Sequence, residues 1–338
     1  MPKRILLTCD VNQAQAFDFN DAFKAEDWKA EKDCYNALRT LGHEVERIAI
    51  YDDIRPLIEK TQELKPDVIF NQCDHFNGIS GHDRNIAAFY ELLNVPYTGS
   101  SPAALMLCKN KALTKELLTT HRIKVPQHTV FKRDHKFTVS KRMRFPQIIK
   151  PLSDEASYGI SNASIVTNID ETKERIRYIH ETVKSDAICE QYIEGIELYV
   201  SILGNHRLRV FPFRQLTFPE DQGAPQIATY NVKWNKEFRK KWNIRYEFAR
   251  LKDEALEKKI ARISKRIYRI LHLQGYGRLD LRVTSEGQVY VIEANPNPYL
   301  AREEDFALSA KKAGFTYEKL IDKIIQYAEE CHPRMAGT

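Results

Sequence analysis

Apolar and polar positions first divide the chain into short buried runs and helical stripes. Residues 4–8 are a compact apolar run that reads as a buried strand. From about 25 to 41, Trp28, Cys34, Ala37, Leu38 and Leu41 recur at helical spacing, and Gly42 supplies the stop. Val45 to Ile50 predicts a second strand, residues 53–64 a helix, residues 66–70 a third strand, and residues 83–93 another helix. Strand–helix alternation of this kind predicts a parallel sheet with helices on both faces. No Gly-x-Gly-x-x-Gly follows the first strand, so the dinucleotide fingerprint is absent.

The pattern then changes. Residues 109–121 read as a helix, Val125-Pro126 opens a strand, and Phe145 to Pro151 is a strand carrying Lys150 near its end. Residues 170–184 form an amphipathic stripe, followed by the apolar strand from Ala187 to Ile193. Residues 214–242 are long, polar and without period, which in a compact domain marks a functional or a disordered loop. Residues 252–272 are a long helix, and residues 303–313 and 316–330 close the chain as helices.

Between those helices lies the segment richest in chemistry. Gly277 to Arg282 and Val289 to Asn295 both read as strands, and Ser285-Glu286-Gly287 between them is turn chemistry, so the pair predicts a hairpin. Every second side chain of a strand faces the same way. Arg278, Asp280 and Arg282 therefore share one face, as do Glu293 and Asn295. Pairing can bring Asp280, Glu293 and Asn295 together, a set of hard oxygen donors suited to Mg²⁺. The competing reading is a hairpin whose acids pair with Arg278 and Arg282. Pro296 and Pro298 end the strand and stiffen the chain just past Asn295.

Composition narrows the classes. At 338 residues there is room for two or three domains. A net charge of +6 is scattered in short blocks, which argues against nucleic acid as partner and suits the handling of an anionic nucleotide. Six cysteines lie far apart with no Cys-x-x-Cys, as small apolar residues of a reducing compartment. The first apolar run stops by Asp10, too short for a signal peptide, and no stretch is long enough for a membrane span, so a cytoplasmic location is expected.

The hairpin resembles the metal-binding hairpin of ATP-grasp enzymes, above all the D-alanine–D-alanine ligase branch, whose pattern is Arg-x-Asp followed by Glu-x-Asn-Pro. The resemblance extends upstream. Val95-Pro96-Tyr97-Thr98-Gly99 is similar to the family's exit from its first domain. Asn110-Lys111 resembles the start of its lysine-bearing helix, which implies that Lys111 reaches nucleotide phosphate. Lys150-Pro151 and the turn at 153–161 resemble its Lys-Pro strand and small-residue flap, implying ATP contacts for Lys150 and a phosphate contact for Ser157. Glu190-Gln191-Tyr192-Ile193-Glu194-Gly195-Ile196-Glu197 matches the adenosine motif. That match implies that Glu190 and Tyr192 meet the adenine edge, Ile193 covers the ring and Glu197 accepts from ribose. Lys233 matches a lid lysine that reaches the terminal phosphate.

The resemblance implies an ATP-grasp fold of mixed α/β and α+β class with three domains. These are an α/β pre-ATP-grasp domain over 1–103, a central domain over 104–195, and a C-terminal domain over 196–338 that holds the lid 214–242 and the hairpin 277–298. It implies an ATP-dependent ligase that joins a carboxylate to an amine through an acyl phosphate, releasing ADP and phosphate. Mg²⁺, with Mn²⁺ as an alternative, would sit on Asp280, Glu293 and Asn295, and Arg278 would steady the oxyanion. The partners implied are a small carboxylate and a small amine, no nucleic acid and no membrane, with a homodimer left open. The family's Gly-rich first loop with its glutamate is replaced by Thr8-Cys9-Asp10-Val11-Asn12, and the wall after Asn295 carries Asn297 and Tyr299. Arg282, Asn297 and Asp83 are the candidate substrate contacts, and an amino acid or small peptide other than D-alanine is expected. Three alternatives stand beside this: a D-alanine–D-alanine ligase of cell-wall synthesis, an ATP-grasp kinase that stops at phosphorylation, and a nucleotide-binding protein without catalysis.

Overall fold

A computed structural model describes residues 1–11, 17–153, 160–219, 227–229, 231–232, 235–251 and 253–331. Three sheets divide the chain. β1 (Arg4–Asp10), β2 (Glu44–Ile50) and β3 (Val68–Gln72) make a parallel sheet in the order β2-β1-β3. α1 (Phe19–Ala22) and α2 (Lys29–Thr40) connect the first two strands, α3 (Arg55–Leu64) the next two, and α4 (Asp83–Leu92) follows. The central strand β1 is buried from Ile5 to Cys9, as a strand covered on both faces must be.

One face of this sheet packs under α3 and α4 in a core that includes Leu6, Ile69, Tyr90 and Tyr97. The other face is covered from two directions. Ile5, Leu7 and Phe70 meet Cys34 and Leu38 of α2, together with Phe306, Ile321 and Ile325 from the far end of the chain. The last two helices, α10 (Asp305–Lys312) and α11 (Tyr317–Cys331), thus complete the core of the first sheet.

α5 (Pro102–Lys109) and α6 (Lys111–Thr120) lead into the second sheet. The helix expected from residue 109 starts at Lys111, because Asn110 adopts an extended conformation and its side chain accepts from the Leu113 amide as an N-cap. β4 (His128–Phe131), β5 (Gln147–Pro151), β6 (Ile165–Val166) and β7 (Ala187–Gln191) are antiparallel in the order β4-β7-β5-β6. α7 (Ile169–Tyr178) lies on one face through Ile176, and α6 lies on the other, where Ala112 meets Leu152 and Ile188.

The third sheet is antiparallel. β8 (Ile196–Leu203) carries β10 (Arg214–Thr217) and then β11 (Arg245–Phe248) on one side, with the short β9 (Arg209–Val210) also paired to it. On the other side lie β12 (Tyr276–Val283) and β13 (Val289–Asn295), the expected hairpin. The stretch 214–242 departs from a continuous loop at its two ends. Arg214–Thr217 joins the sheet as β10, and α8 (Lys236–Lys241) forms behind an Asn235 cap. α9 (Glu254–Ile270) closes the back of the sheet with Ile260, Ile267 and Tyr268 against Leu279 and Leu281.

The turn from β7 into β8 depends on Gly195, which has φ +142 and would set a Cβ 2.2 Å from the Val283 carbonyl oxygen at the end of β12. Backbone rather than a flexible side chain is the obstacle. Replacing Gly195 with Ala should therefore cost roughly 2 kcal/mol or more, read as a lower urea midpoint. A variant within about 0.5 kcal/mol of the parent would refute the contact.

Candidate active site

The second and third sheets face each other across a cleft that opens to solvent. Its lining joins Lys111, Lys150, Glu190, Tyr192, Ile193 and Glu197 to Asp280, Arg282 and Glu293. Ile148, Ile160, Ile227 and Ile292 give the cleft apolar walls.

On the central-sheet side the organising group is Glu190, 1% exposed on β7. Lys115 Nζ lies 2.9 Å from Glu190 Oε1 and Lys150 Nζ 2.9 Å from Oε2, so one carboxylate sits between two ammonium groups. Burial alone would raise the Glu190 carboxyl, but the two lysines outweigh it and hold its pKa below the usual range. Burial likewise lowers the Lys115 ammonium to about 8, opposed by Glu190. No local pattern in the sequence marks Lys115, because its partner Glu190 stands on a distant strand.

Glu197 opens β8. Its Oε2 accepts from Arg282 Nη2 at 2.9 Å and its Oε1 from the Tyr199 hydroxyl at 2.8 Å. Arg282 also donates to the Ile193 carbonyl at 2.9 Å, and its guanidinium lies 5.0 Å from the Tyr192 ring centre. Of the two partners weighed for Arg282, the ion pair falls to Glu197 rather than Asp280, and Arg282 also lines the cleft. β12 has a neighbour on each side, and Arg282 stands directly opposite Glu197 on β8.

Across the hairpin Asp280 and Glu293 are direct partners in the ladder, as are Arg278 and Asn295. Arg278 grips Asp280 through two bonds, Nε to Oδ1 at 2.8 Å and Nη2 to Oδ2 at 3.1 Å. Asn295 Nδ2 donates to Asp280 Oδ1 at 3.3 Å, and Lys111 Nζ lies 3.6 Å from Glu293 Oε1. Between Asp280 and Leu281 the register skips Ile292, a β-bulge, so that the consecutive residues Ile292 and Glu293 both line the cleft. The donors are all hard oxygens and fit Mg²⁺. Among the described residues no group of three or more His, Cys, Asp or Glu could hold a metal by itself. An ion here would take its remaining ligands from phosphate and water, as Mg²⁺ commonly does.

Two further substrate candidates stand elsewhere. Asp83 begins α4 and is 4% exposed, with Oδ2 2.9 Å from Lys109 Nζ on α5. It joins two helices and does not line the cleft. Asn297 Oδ1 accepts from the Ser100 amide at 2.9 Å and lies where a Cβ on Gly99 would stand, 2.6 Å away. It docks the chain leaving the first sheet against the hairpin's end. Ser157 and Lys233 lie outside the described residues.

The family described as D-ala D-ala ligase C-terminus matches residues 117–326. A D-alanine–D-alanine ligase of Aquifex aeolicus is 30% identical over 299 residues, covering 88% of this chain and 94% of its own. One from Pseudothermotoga lettingae is 30% identical over 303 residues, covering 89% and 93%. The chain belongs to the D-alanine–D-alanine ligase family. The crystal structure of the Bacillus anthracis D-alanine–D-alanine ligase complexed with ATP superposes with a TM-score of 0.75 over 98% of both chains at 22% identity. The fold is therefore ATP-grasp, and the chain, like its ligase relatives, is an ATP-dependent enzyme that forms a carbon–nitrogen bond and releases ADP. No helix among the described residues is long and apolar enough to cross a membrane.

Beside this ligase cleft, the carboxyl end of β1 carries Asp10, whose Oδ2 is 2.7 Å from His75 Nδ1 and whose Oδ1 accepts from the Asp74 amide. The hydrogen bond to Asp10 raises the pKa of His75. Glu31 on α2 lies near Asp10, and burial pushes its carboxyl up to about 7. The folded protein therefore keeps a proton on Glu31 between pH 4.5 and 7 that the unfolded chain has released. Stability should fall as pH rises through that window, by up to roughly 3 kcal/mol. Glu31→Gln should flatten this part of a urea-midpoint profile, and an unchanged slope would show that Glu31 titrates normally.

Proposed function

We propose that the cleft binds ATP with Mg²⁺ and activates an amino acid or small peptide carboxylate for attack by an amine. The convergence of Lys111, Lys150, Glu190 and Glu197 with Asp280 and Glu293 in one cleft carries this reading. Glu197 is held by Arg282 and Tyr199 with its carboxylate at the lining, a position that suits ribose hydroxyls. The backbone from Glu190 to Ile193 would meet the adenine edge, with Ile193 against the ring. Lys111 and Lys150 would offset phosphate charge, and Asp280, Glu293 and Asn295 would hold Mg²⁺ (or Mn²⁺), which would neutralise phosphate charge.

ATP supplies the phosphoryl group that makes the carboxylate an electrophile. The chain's residues then have three tasks. Cations reduce the repulsion between the incoming carboxylate and the terminal phosphate. Arg278, half-buried against Asp280, would offer donors to the oxyanion formed when the amine attacks. By resemblance, Ser157 and Lys233 act at the transferred phosphate.

For the substrate we favour an amino acid or small peptide other than D-alanine. The first strand ends in Asp10 beside His75 in place of the Gly-rich loop, and Tyr299 adds bulk after the hairpin, its hydroxyl accepting from the Ala30 amide at 3.3 Å. The names of the relatives favour D-alanine as the second reading. A screen of amino acid and carboxylate pairs for ADP release, with mass spectrometry of products, separates the two. A mixed or non-alanyl peptide as the best product is expected. D-alanyl-D-alanine formed faster than every other pair would overturn the substrate choice, and ADP release without an amine would make the enzyme a kinase.

Glu293→Gln tests the metal assignment. It should lower ADP formation by at least about 10²-fold while circular dichroism stays unchanged. Turnover equal to the parent at saturating Mg²⁺ would return Asp280 and Glu293 to the role of salt-bridge partners.

A further inference from the structure

Lys115 lies outside every role assigned above, yet its side chain is only 2% exposed and bonded at two places. It sits one turn after Lys111 on the same face of α6. Its Nζ lies 2.9 Å from Glu190 Oε1 on the central sheet and donates to the Ile292 carbonyl at 2.9 Å on the hairpin. That carbonyl belongs to the residue skipped by the bulge. A bulged residue leaves the ladder, so its half-buried carbonyl takes a donor from elsewhere. The same bulge turns Glu293 into the cleft beside Ile292. A single ammonium thus bridges the strand that would bear the nucleotide and the backbone immediately before a proposed metal ligand.

We infer that Lys115 is a positioning residue for the metal: by tying Glu190 to the Ile292 bulge it fixes where the Glu293 carboxylate stands relative to the bound phosphates. The inference rests on the ATP and Mg²⁺ reading of the cleft and deepens it. A filler role would need only the bulk of the side chain. A positioning role needs the donor to the bulge, and its loss should appear in the metal requirement more than in nucleotide binding. Partners that orient a metal ligand commonly change metal affinity by about 10–100-fold when removed.

The test uses the full chain and a non-hydrolysable ATP analogue, with binding measured by calorimetry without metal and across a Mg²⁺ titration. Lys115→Met keeps the length and loses the donor. It should raise the half-saturating Mg²⁺ at least about tenfold, while the metal-free affinity for the analogue shifts by a smaller factor. Lys115→Gln keeps a donor for the carbonyl without the charge and should fall between Lys115→Met and the parent. If Lys115→Met does not fold, Lys115→Gln decides by the same comparison with the parent. A folded variant with the parent's Mg²⁺ requirement would overturn the inference, as would equal losses in metal-free and metal-bound affinity. A parent protein whose analogue binding ignores Mg²⁺ would instead remove the metal reading of the cleft, so the two failures are distinct.

Discussion

Two carboxylates facing each other on a half-buried hairpin set the terms for the surrounding structure. Asp280 and Glu293 are directly paired across β12 and β13, and Asp280 is 3% exposed. Like charges in that position repel and lose hydration together. The fold answers with cations from different elements: Arg278 from the same strand and Lys111 from the start of α6. The N-cap at Asn110 gains importance here, because it sets where α6 begins and so where Lys111 points.

The same logic recurs around the cleft. Glu190 is met by lysines from α6 and β5, Glu197 by an arginine from β12, and Asp305 by Arg214 from β10. Each acid takes its cation from a different stretch of chain. A buried pair of this type contributes little net stability, but losing one partner leaves an uncompensated charge. The pairs therefore hold the sheets in register more than they strengthen the fold. They also leave the cleft lined with groups whose charge balance a polyanionic ligand would change.

Much of this was legible in the chain because strand and helix periods are local properties. The parallel first sheet and the hairpin followed from apolar spacing, and the grouping of Lys111, Lys150, Glu190 and Glu197 from the resemblance of their motifs to those of the ligase family. What the chain hid was pairing to the second neighbour of a strand. Among protein partners the hairpin offers Arg282 only Asp280, whereas β12 also borders β8, where Glu197 stands opposite. The ion pair of Asp83 with Lys109, 26 positions away in sequence, likewise carries no local signal. The bulge at Ile292 is equally silent, since one skipped residue leaves the alternation of Val289 to Asn295 nearly intact.

The shared core of the first sheet has a consequence for how the chain is made. Ile5, Leu7 and Phe70 are covered partly by Phe306, Ile321 and Ile325, residues synthesised more than two hundred positions later. At translation speeds of about 5–20 residues per second, the part of that face not covered by α2 stays open for tens of seconds after the strands have left the ribosome. The first sheet can pair its strands early, but it finishes its core only when the tail arrives. Closing so long a loop is a slow, non-local step, and in the interval the nascent protein presents an apolar sheet face of the kind that chaperones hold.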